Sequence, residues 1–578
     1  MPTITVSYKD LQDLIGKHIR VKELGNLLHG YCKIELDSHD EKSDELTLSV
    51  ADTNMPFLWS AEGIARRLRG ALGIDNGEEI LVLAKDSDKS DKSNKSSNYS
   101  VIVNSSVDEV RPFISCFVAK LRKGTISEHL LKQLIQLQEK VCEGYGRRRK
   151  KVSVGLYPCA KIKFPVYYKA VLPESVSFIP LDFVQEMTLK EILEAHPKGK
   201  EYAPILEAHD KYPILIDSDD NILSFAPIIN SERTGKVSEE DSTLFFDATG
   251  TDETALRIVT NIFAYALHDR GFDIVPVRMQ FSKKSCITPD LTRESIKIKK
   301  DDINAWLDLD LHESEVALLL NKAGYDFNNW TAIIPSYRGD IMHSVDVIED
   351  IAMMYGYENI KPLALTTLTR GKSLPIVPLL NKSRELVVGL GFQEVMNLML
   401  TNKKILYEKM AIADFGTVEI AQPMSETHSV VRSWLTPLLM SILEKNKHAS
   451  YPQRIFEQGL VTARKGDVIH DYERLAILSC HHTANFTEIK QILDYLFKSL
   501  SIEYILQEVE HGSFIPGRVG RIVIKSSGEN NKNSQSSKEI KVGFIGEIHP
   551  AVLKNFELDL PVVTLELNLS EIFEVVKK

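Results

Sequence analysis

Strand-like and helix-like segments alternate along this chain, and this alternation restricts the possible folds more than any other feature. Between residues 104 and 280, short runs of β-branched and aromatic residues are followed by segments whose apolar residues recur at helical spacing. One such helix is predicted near residues 128–142, with a single apolar stripe formed by Leu130, Leu134, Leu137 and Val141. Alternation of this kind predicts α/β and α+β domains, in which helices cover sheets.

The length and composition limit the class of protein. The chain has 578 residues, enough for several domains at about 100–200 residues each. With 43% hydrophobic and 26% charged residues, a wholly disordered, collagen-like or coiled-coil chain is excluded. A formal net charge of −10 excludes a protein that coats nucleic acid by charge alone, so any RNA contact must be local.

The cysteines and the start of the sequence predict a cytoplasmic protein. Six cysteines are scattered without a CxxC pair, which argues against a disulfide framework and a cysteine zinc site. The opening residues, MPTITVSYKDL, lack the basic and then apolar pattern of a signal peptide. No apolar run reaches the ~18 residues of a membrane span, so no membrane partner is expected.

Two polar low-complexity segments interrupt the chain, at 85–98 and 526–539. Their Ser, Asn and Lys residues cannot bury enough apolar surface to offset the entropy of ordering. Sequences typical of β-strands flank each segment, for example at 80–84 and 99–103. We therefore predict loop insertions between neighbouring strands.

An acidic helix is predicted within YRGDIMHSVDVIEDIAMMYGY, residues 337–357. Asp346, Glu349 and Asp350 share one side of it at i, i+3 and i+4 spacing, and Asp340 lies in the preceding turn. Between residues 339 and 358 there is no Lys or Arg to neutralise these carboxylates. Hard cations such as Mg²⁺ take carboxylate ligands, so a Mg²⁺ site is one interpretation. The other is an acidic first turn that complements the helix dipole and faces water.

A basic stretch covers residues 120–151, which contain ten Lys or Arg and three Glu. Its densest part is GRRRKK at 146–151, with Arg147, Arg148 and Arg149 in sequence. A salt-dependent contact with a polyanion is one interpretation, and a solvated loop is the other. No regular alternation of aromatic and basic residues supports base stacking here, so sequence-specific RNA recognition is not predicted.

Motifs of a complete ATP site are missing. The sequence contains no GxxxxGKS/T, HExxH or GxSxG pattern. Residues 144–149 match the GxGxxR pattern with which class II aminoacyl-tRNA synthetases hold ATP. That motif should open a helix late in a catalytic domain, whereas here it follows a predicted helix early in the chain. We interpret the match as coincidence.

Ordered segments along essentially the whole chain resemble one family, the archaeal and eukaryotic β subunit of phenylalanyl-tRNA synthetase. Each segment alone is weakly specific, but their joint order is highly specific. The segments are NMPFLWSAEG (54–63), VRPFISCFVAKL (110–121), APIIN (226–230), ATGTD (248–252), PSYRGDIMHSVDVIEDIAMMYGYENI (335–360), PMSETHSVVRSWLTPLLMSILEKNKH (423–448), YPQRIFEQG (451–459), FTEIK (486–490), FIPGR (514–518) and GFIGEIHP (543–550).

The resemblance implies four domains. Residues 1–104 would form an N-terminal α/β domain with the polar insertion, and residues 105–284 a B3/B4-type α/β editing domain. Residues 285–364 would form a B5-type, helix-turn-helix-like domain with the Mg²⁺ site. Residues 365–578 would form a class II synthetase-like domain on an antiparallel sheet, without an active site. There, Arg454 and Glu457 stand where a strand motif is expected, but they are three residues apart rather than two.

The resemblance also assigns site residues. The family places Mg²⁺ ligands in the pattern matched by Asp340, Asp346, Glu349 and Asp350, so the resemblance favours the metal interpretation, with a structural or a chemical role. An editing pocket that hydrolyses tyrosine attached to the phenylalanine tRNA would include Asn230, Asp247, Thr249 and Gly250. Asp247 stands where relatives usually carry Glu, an acceptor suited to a tyrosine hydroxyl. A site that hydrogen-bonds this hydroxyl strongly rejects phenylalanine.

A second departure concerns Tyr157 and Pro158. Relatives tend to read Gly-Leu/Ile-His-Asp where this chain reads Gly155-Leu156-Tyr157-Pro158. Loss of a polar pair beside the pocket leaves two alternatives, an active editing domain or a retained scaffold.

For the whole chain, the resemblance implies a subunit that itself carries no catalytic residue for aminoacylation. A separate α subunit would bind ATP and attach phenylalanine to its tRNA within an α₂β₂ phenylalanine–tRNA ligase. This chain would supply scaffold, tRNA contacts through Arg147, Arg148 and Arg149, and an editing pocket. The alternative is a free-standing tRNA-binding or trans-editing protein derived from that subunit.

Overall fold

The computed structural model describes residues 2–75, 81–84, 99–282, 284–526 and 538–577. The chain divides into two units, residues 1–364 and 365–578. The predicted insertion at 85–98 and most of the one at 526–539 lie outside the described residues. The finer division into four domains stays a prediction.

The first 75 residues contain a small antiparallel sheet and three helices. The elements are β1 (Thr3–Ser7), α1 (Tyr8–Ile15), α2 (Val21–Cys32), β2 (Ile34–Asp40), β3 (Glu45–Val50) and α3 (Ala61–Ala71). The strand order is β1-β3-β2. Helix α3 begins after Ser60, whose hydroxyl accepts the Gly63 N–H at 3.2 Å and so satisfies one of the free amides of the first turn.

A ten-stranded sheet forms the centre of the first unit. Its region contains β4 (Ser100–Val103), β5 (Phe113–Leu121), α4 (Glu128–Glu143), β6 (Val152–Pro158), β7 (Val166–Val171), β8 (Ser177–Phe178), β9 (Met187–Thr188), α5 (Leu189–Ala195), α6 (Pro197–Tyr202), β10 (Tyr212–Ile216), β11 (Ile222–Phe225), β12 (Ile229–Asn230), α7 (Glu232–Gly235), β13 (Thr243–Gly250), α8 (Glu253–Asp269), β14 (Phe272–Gln280) and β15 (Ser285–Thr288). The strand order is β12-β11-β10-β7-β4-β14-β5-β13-β6, with β15 beside β14, while β8 and β9 pair separately.

Helical periodicity correctly predicts that helices pack against this sheet. The apolar stripe of α4 is buried, as is nearly the whole of α8. The predicted strand at 80–84 is wrong for residues 81–84, which form no strand. Leu81 is buried, and the Ala84 N–H donates to the Ile274 carbonyl at 2.8 Å. Leu81 therefore packs into the core from a segment without strand pairing, a distinction that the side-chain pattern does not reveal.

The last part of the first unit packs three helices on a three-stranded sheet. Its elements are β16 (Ser295–Lys297), α9 (Lys300–Leu307), α10 (Glu313–Lys322), β17 (Asp326–Asn328), β18 (Thr331–Ile333) and α11 (Ser344–Tyr355). The strand order is β16-β18-β17. Val316 and Leu320 of α10 share a buried apolar core with Val347 and Ile351 of α11, which fixes the acidic helix in place.

The second unit is built on a seven-stranded sheet. Its elements are α12 (Val377–Gly389), β19 (Gln393–Glu394), β20 (Leu400–Thr401), β21 (Val430–Val431), α13 (Thr436–Lys445), β22 (Gln453–Lys465), β23 (Val468–Cys480), α14 (Phe486–Ser499), β24 (Tyr504–Glu508), β25 (Phe514–Ser526), β26 (Lys538–Ile548), α15 (Pro550–Asn555), β27 (Val562–Asn568) and α16 (Leu569–Val576). The order is β19-β22-β23-β27-β26-β25-β24. Only the short β19 is parallel to its neighbour.

Both faces of the seven-stranded sheet are covered. Ala476 and Leu478 of β23 belong to a core with α13, whereas Leu475 and Ile477 belong to a core with α14. Successive strand side chains point to opposite faces, so each strand serves two cores. The predicted fold class, a multidomain α/β and α+β chain with an antiparallel sheet at its C-terminal end, is confirmed.

Two chemical properties accompany this fold. All six cysteines are free thiols, five of them buried. Among the described residues, no helix has the length and apolar character needed to cross a membrane.

Candidate active site and ion-pair network

A cavity of about 470 Å³ lies beside β6, β11 and β13 in the first unit. Strand β13 brings Asp247 and Thr249 to it, since residues two apart share one face of a strand. The antiparallel register places Gly155 opposite Asp247 and Ser153 opposite Thr249. Neighbouring strands thus supply the polar groups of one wall, and helix α4 contributes to another.

Three of the four predicted pocket residues come together at this cavity. Asn230, Asp247 and Thr249 line it, whereas Gly250 does not. Gly250 follows on the opposite face of β13, where a Cβ atom would collide with the Lys151 carbonyl oxygen. Its role in the structure is close packing of two strands.

Asp247 is the most unusual group of the cavity. Its side chain is buried, and its Oδ1 atom has no hydrogen-bond partner among the described residues. Burial raises the pKa of the Asp247 carboxyl to about 6, although the neighbouring Tyr157 hydroxyl and Arg111 oppose the shift. An enclosed carboxyl oxygen without a donor is costly in a folded protein and is a candidate for ligand recognition.

This shift predicts a pH dependence of stability. The folded state holds the Asp247 proton more tightly than the unfolded state. Protonation of Asp247 therefore stabilises the folded state fully below pH 3.8, and this contribution is lost as the pH rises through about 6. Relative to Asp247→Asn, the free energy of unfolding of the parent should fall by up to about 3 kcal/mol across that window. Denaturant melts of the two proteins across the window measure this difference, and parallel pH profiles would contradict it.

Arg111 holds Thr249 in position, and sequence reasoning did not single it out. Its Nε donates to Thr249 Oγ1 at 2.9 Å, and its Nη2 donates to the Thr249 carbonyl at 2.6 Å and to Ser153 Oγ at 3.0 Å. The guanidinium is buried, so these bonds replace its hydration. The only sequence signal was an arginine at the start of the quoted segment VRPFISCFVAKL.

The two residues that depart from the family pattern lie at the end of β6. Tyr157 is buried, lines the cavity and donates its hydroxyl to Ser224 Oγ at 2.9 Å. Pro158 ends the strand and does not line the cavity. Of the two substitutions, only the tyrosine changes the chemistry of the cavity wall.

The three predicted tRNA-contacting arginines are separated by the structure. They follow α4 in a left-handed turn, so the GxGxxR match at 144–149 opens no helix. Arg147 and Arg148 are exposed. Arg149 turns inwards, where its Nη1 donates to the Pro227 and Ile228 carbonyls and its guanidinium lies 4.2 Å from the centre of the Tyr202 ring. Arg149 also lines the cavity.

The acidic helix α11 contains a buried ion network centred on Asp350. Its Oδ1 accepts Arg67 Nη2 at 2.6 Å, and its Oδ2 accepts Arg338 Nη1 at 3.0 Å and the Tyr325 hydroxyl at 2.6 Å. Arg338 and Arg67 hold the pKa of Asp350 far below its usual range, although burial opposes them. Asp350 therefore faces the interior and does not share the exposed side of the helix.

The other three predicted metal ligands also have protein partners. Asp340 accepts Arg338 Nε at 2.7 Å, and Glu349 pairs with Lys33 Nζ at 2.6 Å. Asp346 closes the first turn of α11, where its Oδ2 accepts the backbone N–H groups of Met342 and His343. The expectation that these carboxylates lack cationic neighbours is wrong, because Lys33 and Arg67 come from distant parts of the chain.

This arrangement does not fit a Mg²⁺ site. Among the described residues there is no group of three or more His, Cys, Asp or Glu side chains that could hold a metal ion. The donors around Asp340 and Asp350 are guanidinium groups, which occupy the oxygen atoms that a cation would need. The assignment of Mg²⁺ to these four residues stays a prediction.

A melting experiment tests it. With the carboxylates satisfied by Lys33, Arg67 and Arg338, millimolar Mg²⁺ should leave the melting temperature of the first unit unchanged. The matched control is the double variant Asp346→Ala, Glu349→Ala, measured with and without Mg²⁺. A Mg²⁺-dependent rise in the parent that this variant loses would establish the metal site.

In the second unit, the residues at the expected strand motif serve ion pairs. Glu457 is buried and pairs with Arg432, while its Oε2 accepts the Asn397 side-chain amide at 2.7 Å. Arg454 lies 3.5 Å from Glu488 Oε1. A separate cavity of about 370 Å³ lies on the sheet, where the Arg521 guanidinium stacks on Phe544.

Comparisons with known proteins identify the chain. Residues 296–357 match the family described as "tRNA synthetase B5 domain", and residues 362–569 match "Phenylalanyl tRNA synthetase beta chain CLM domain". The fold and these matches define a subunit of the aminoacyl-tRNA synthetase class. Over 584 residues the chain is 39% identical to the phenylalanine–tRNA ligase β subunit of Pyrococcus horikoshii, covering 99% of this chain and 100% of that one. The chain belongs to the phenylalanine–tRNA ligase β-subunit family.

Other relatives agree with this assignment. The phenylalanine–tRNA ligase β subunit of Archaeoglobus fulgidus is 36% identical over 586 residues, with 99% of each chain covered. A crystal structure of an N-terminal fragment of the Pyrococcus horikoshii phenylalanyl-tRNA synthetase β-subunit superimposes with a TM-score of 0.57 at 38% identity. It covers 61% of this chain and 99% of that one. The family predicted from sequence is confirmed.

Proposed function

We propose that this chain acts as the β subunit of a phenylalanine–tRNA ligase, which attaches phenylalanine to its tRNA with ATP. The observation that carries the proposal is similarity to β subunits along the whole length of both chains. Because the sequence lacks a complete ATP motif, ATP and its Mg²⁺ belong to the site of the α subunit. The proposed assembly is a cytoplasmic α₂β₂ heterotetramer.

The surface of the second unit supports a protein partner. Met396 is 92% exposed and Leu398 is 69% exposed, in the segment that leads into β20. Further exposed apolar side chains in this unit are Leu365, Leu368, Leu374 and Met424. Single exposed apolar residues are common, but adjacent large ones at this exposure favour an interface.

The proposal is tested by adding the partner. The purified chain alone should show no phenylalanine-dependent exchange of ATP and pyrophosphate, since no aminoacylation site is proposed in it. Addition of the α subunit should produce aminoacylation of phenylalanine tRNA. Tyr-tRNA hydrolysis by a chain that binds no α subunit would instead support the free-standing trans-editing alternative.

Within this assembly, Arg147 and Arg148 supply a contact with tRNA phosphates. Both are exposed and stand on the left-handed turn that follows α4. Their replacement by glutamine should weaken tRNA binding and lower the slope of log K against log salt by about 0.7–0.9 per lost contact. The exposed Arg20 provides the matched control, as Arg20→Gln. An unchanged salt slope in the double variant would show that this stretch is a solvated loop.

The cavity of the first unit is the proposed editing pocket. Asn230, Asp247 and Thr249 offer polar groups to a ligand, and the Asp247 carboxyl is buried beside them. In this proposal the pocket binds the amino acid of a wrongly charged tRNA. A hydrolysis assay with Tyr-tRNA and the complex tests it, and the absence of hydrolysis by the parent and by every variant of this pocket would contradict it.

A further inference from the structure

The Tyr157 side chain lies over Gly155, between two strands of the cavity wall. Both the Tyr157 hydroxyl and Asp247 Oδ1 would clash with a Cβ atom added to Gly155. Glycine at this position therefore leaves the space in which the phenol and the carboxyl face each other. The strand register explains the arrangement, since Gly155 is opposite Asp247 and Tyr157 follows two residues later on the same face.

The phenol is held firmly at this position. Tyr157 is 1% exposed, and its ring packs against Phe245 with a centroid distance of 5.9 Å. Its hydroxyl donates to Ser224 Oγ at 2.9 Å. A buried ring with a satisfied hydroxyl does not move aside without the loss of both packing and hydrogen bonding.

The Tyr157 phenol lies beside the Asp247 carboxyl and limits what else can contact it. This carboxyl is 3% exposed; burial raises its pKa, and the Tyr157 hydroxyl beside it opposes that shift. A tyrosyl ligand would need to bring its own hydroxyl to about 2.7 Å from a carboxyl oxygen. Around Asp247, the chain's own phenol already fills that position.

We propose that Tyr157 is the specificity-determining residue of this cavity, because its phenol occupies the place beside Asp247 that a ligand's tyrosine hydroxyl requires. The inference rests on the proposed editing pocket for its ligand class, an aminoacyl group on the terminal adenosine of tRNA. The native cavity binds a tyrosyl group weakly. Removal of the Tyr157 hydroxyl exposes the Asp247 oxygen to the ligand.

The test is a binding measurement on the αβ complex. The probes are 3′-tyrosylamino-3′-deoxyadenosine and its phenylalanyl counterpart, which cannot be hydrolysed at the amide bond. Tyr157→Phe should strengthen binding of the tyrosyl probe about 10- to 100-fold, the range of one hydrogen bond to a charged group, and leave the phenylalanyl probe unchanged. Tyr157→His, which also removes the phenol, should act in the same direction.

The matched control is Tyr168→Phe. Tyr168 is a buried tyrosine of the same sheet whose hydroxyl donates to the Arg111 carbonyl at 2.8 Å, and it does not line the cavity. This variant should leave the ratio of the two affinities at the parent value. The double variant Tyr157→Phe, Asp247→Asn should lose most of the gain, because the charged acceptor is gone.

Two outcomes would overturn the inference. One is an unchanged affinity ratio in both Tyr157→Phe and Tyr157→His, and the other is tighter binding of the tyrosyl probe by the parent than by Tyr157→Phe. Hydrolysis is scored separately. A gain in tyrosyl binding without Tyr-tRNA hydrolysis by any variant would support the role of Tyr157 and refute the editing proposal. Rapid Tyr-tRNA hydrolysis by the parent, with the same ratio of tyrosyl to phenylalanyl affinity in the Tyr157 variants, would support the editing proposal and refute the role of Tyr157.

Discussion

Replacement of Asp350 by alanine is expected to destabilise the first unit by about 3–5 kcal/mol. The reason is that Arg67 and Arg338, with side chains only 3% and 2% exposed, would both lose their shared counter-ion. The Tyr325 hydroxyl would lose its acceptor as well. Breaking a buried pair costs more than the pair contributes, because the remaining charges stay out of water.

Denaturant titration of the full chain measures this effect, with the transition of the first unit followed separately. Glu349→Ala is the matched control on the same helix, because the Glu349 side chain is 46% exposed and pairs with Lys33. An exposed pair of this kind contributes about 1 kcal/mol or less. If the two variants lost the same stability, the buried network would not be the main support of α11.

The second large effect concerns the α subunit. Asp substitution at both Met396 and Leu398 should weaken association of the subunits by about 100-fold or more, as expected when central apolar anchors of an interface become charged. Aminoacylation at limiting protein concentration should fall with it. The fold should tolerate the change, because both side chains already face solvent in the isolated chain.

Ile469→Asp with Val468→Asp is the matched control. These residues are also large, apolar and exposed, but they stand at the start of β23, where they pair with the end of β22. They should leave subunit association unchanged. Equal losses of subunit affinity in the two double variants would mean that the 396–398 segment has no special role. No loss of affinity in either variant would show that this segment is not part of the interface.

The acidic helix illustrates how far sequence reasoning reaches. Periodicity predicted the helix α11 correctly, because a helix depends on neighbours along the chain, but it wrongly placed Asp350 on the same side as Asp346 and Glu349. Asp350 has one nearby partner, Arg338, but Lys33 and Arg67, which pair with Glu349 and Asp350, lie 316 and 283 residues away in sequence. A local search for Lys or Arg near the helix could not find them, and it therefore described a paired network as an unneutralised cluster.

For the cavity too, the sequence predicted some lining residues but not the contacts between them. The resemblance brought Asn230, Asp247 and Thr249 into one prediction, and the structure places them around one cavity. Arg111, which fixes Thr249, and Tyr157, which faces Asp247, depend on the register of β6, β13 and β5. Strand register between distant segments is set by packing across the whole sheet, so these contacts required the structure.

The central claim is that this chain works as one subunit of a larger ligase. Native mass spectrometry of the chain co-expressed with the α subunit from the same source measures this most directly, together with aminoacylation by the same sample. We expect a stable complex with two copies of each chain that charges phenylalanine tRNA. Recovery of this chain free of the α subunit under conditions where both are folded would contradict it.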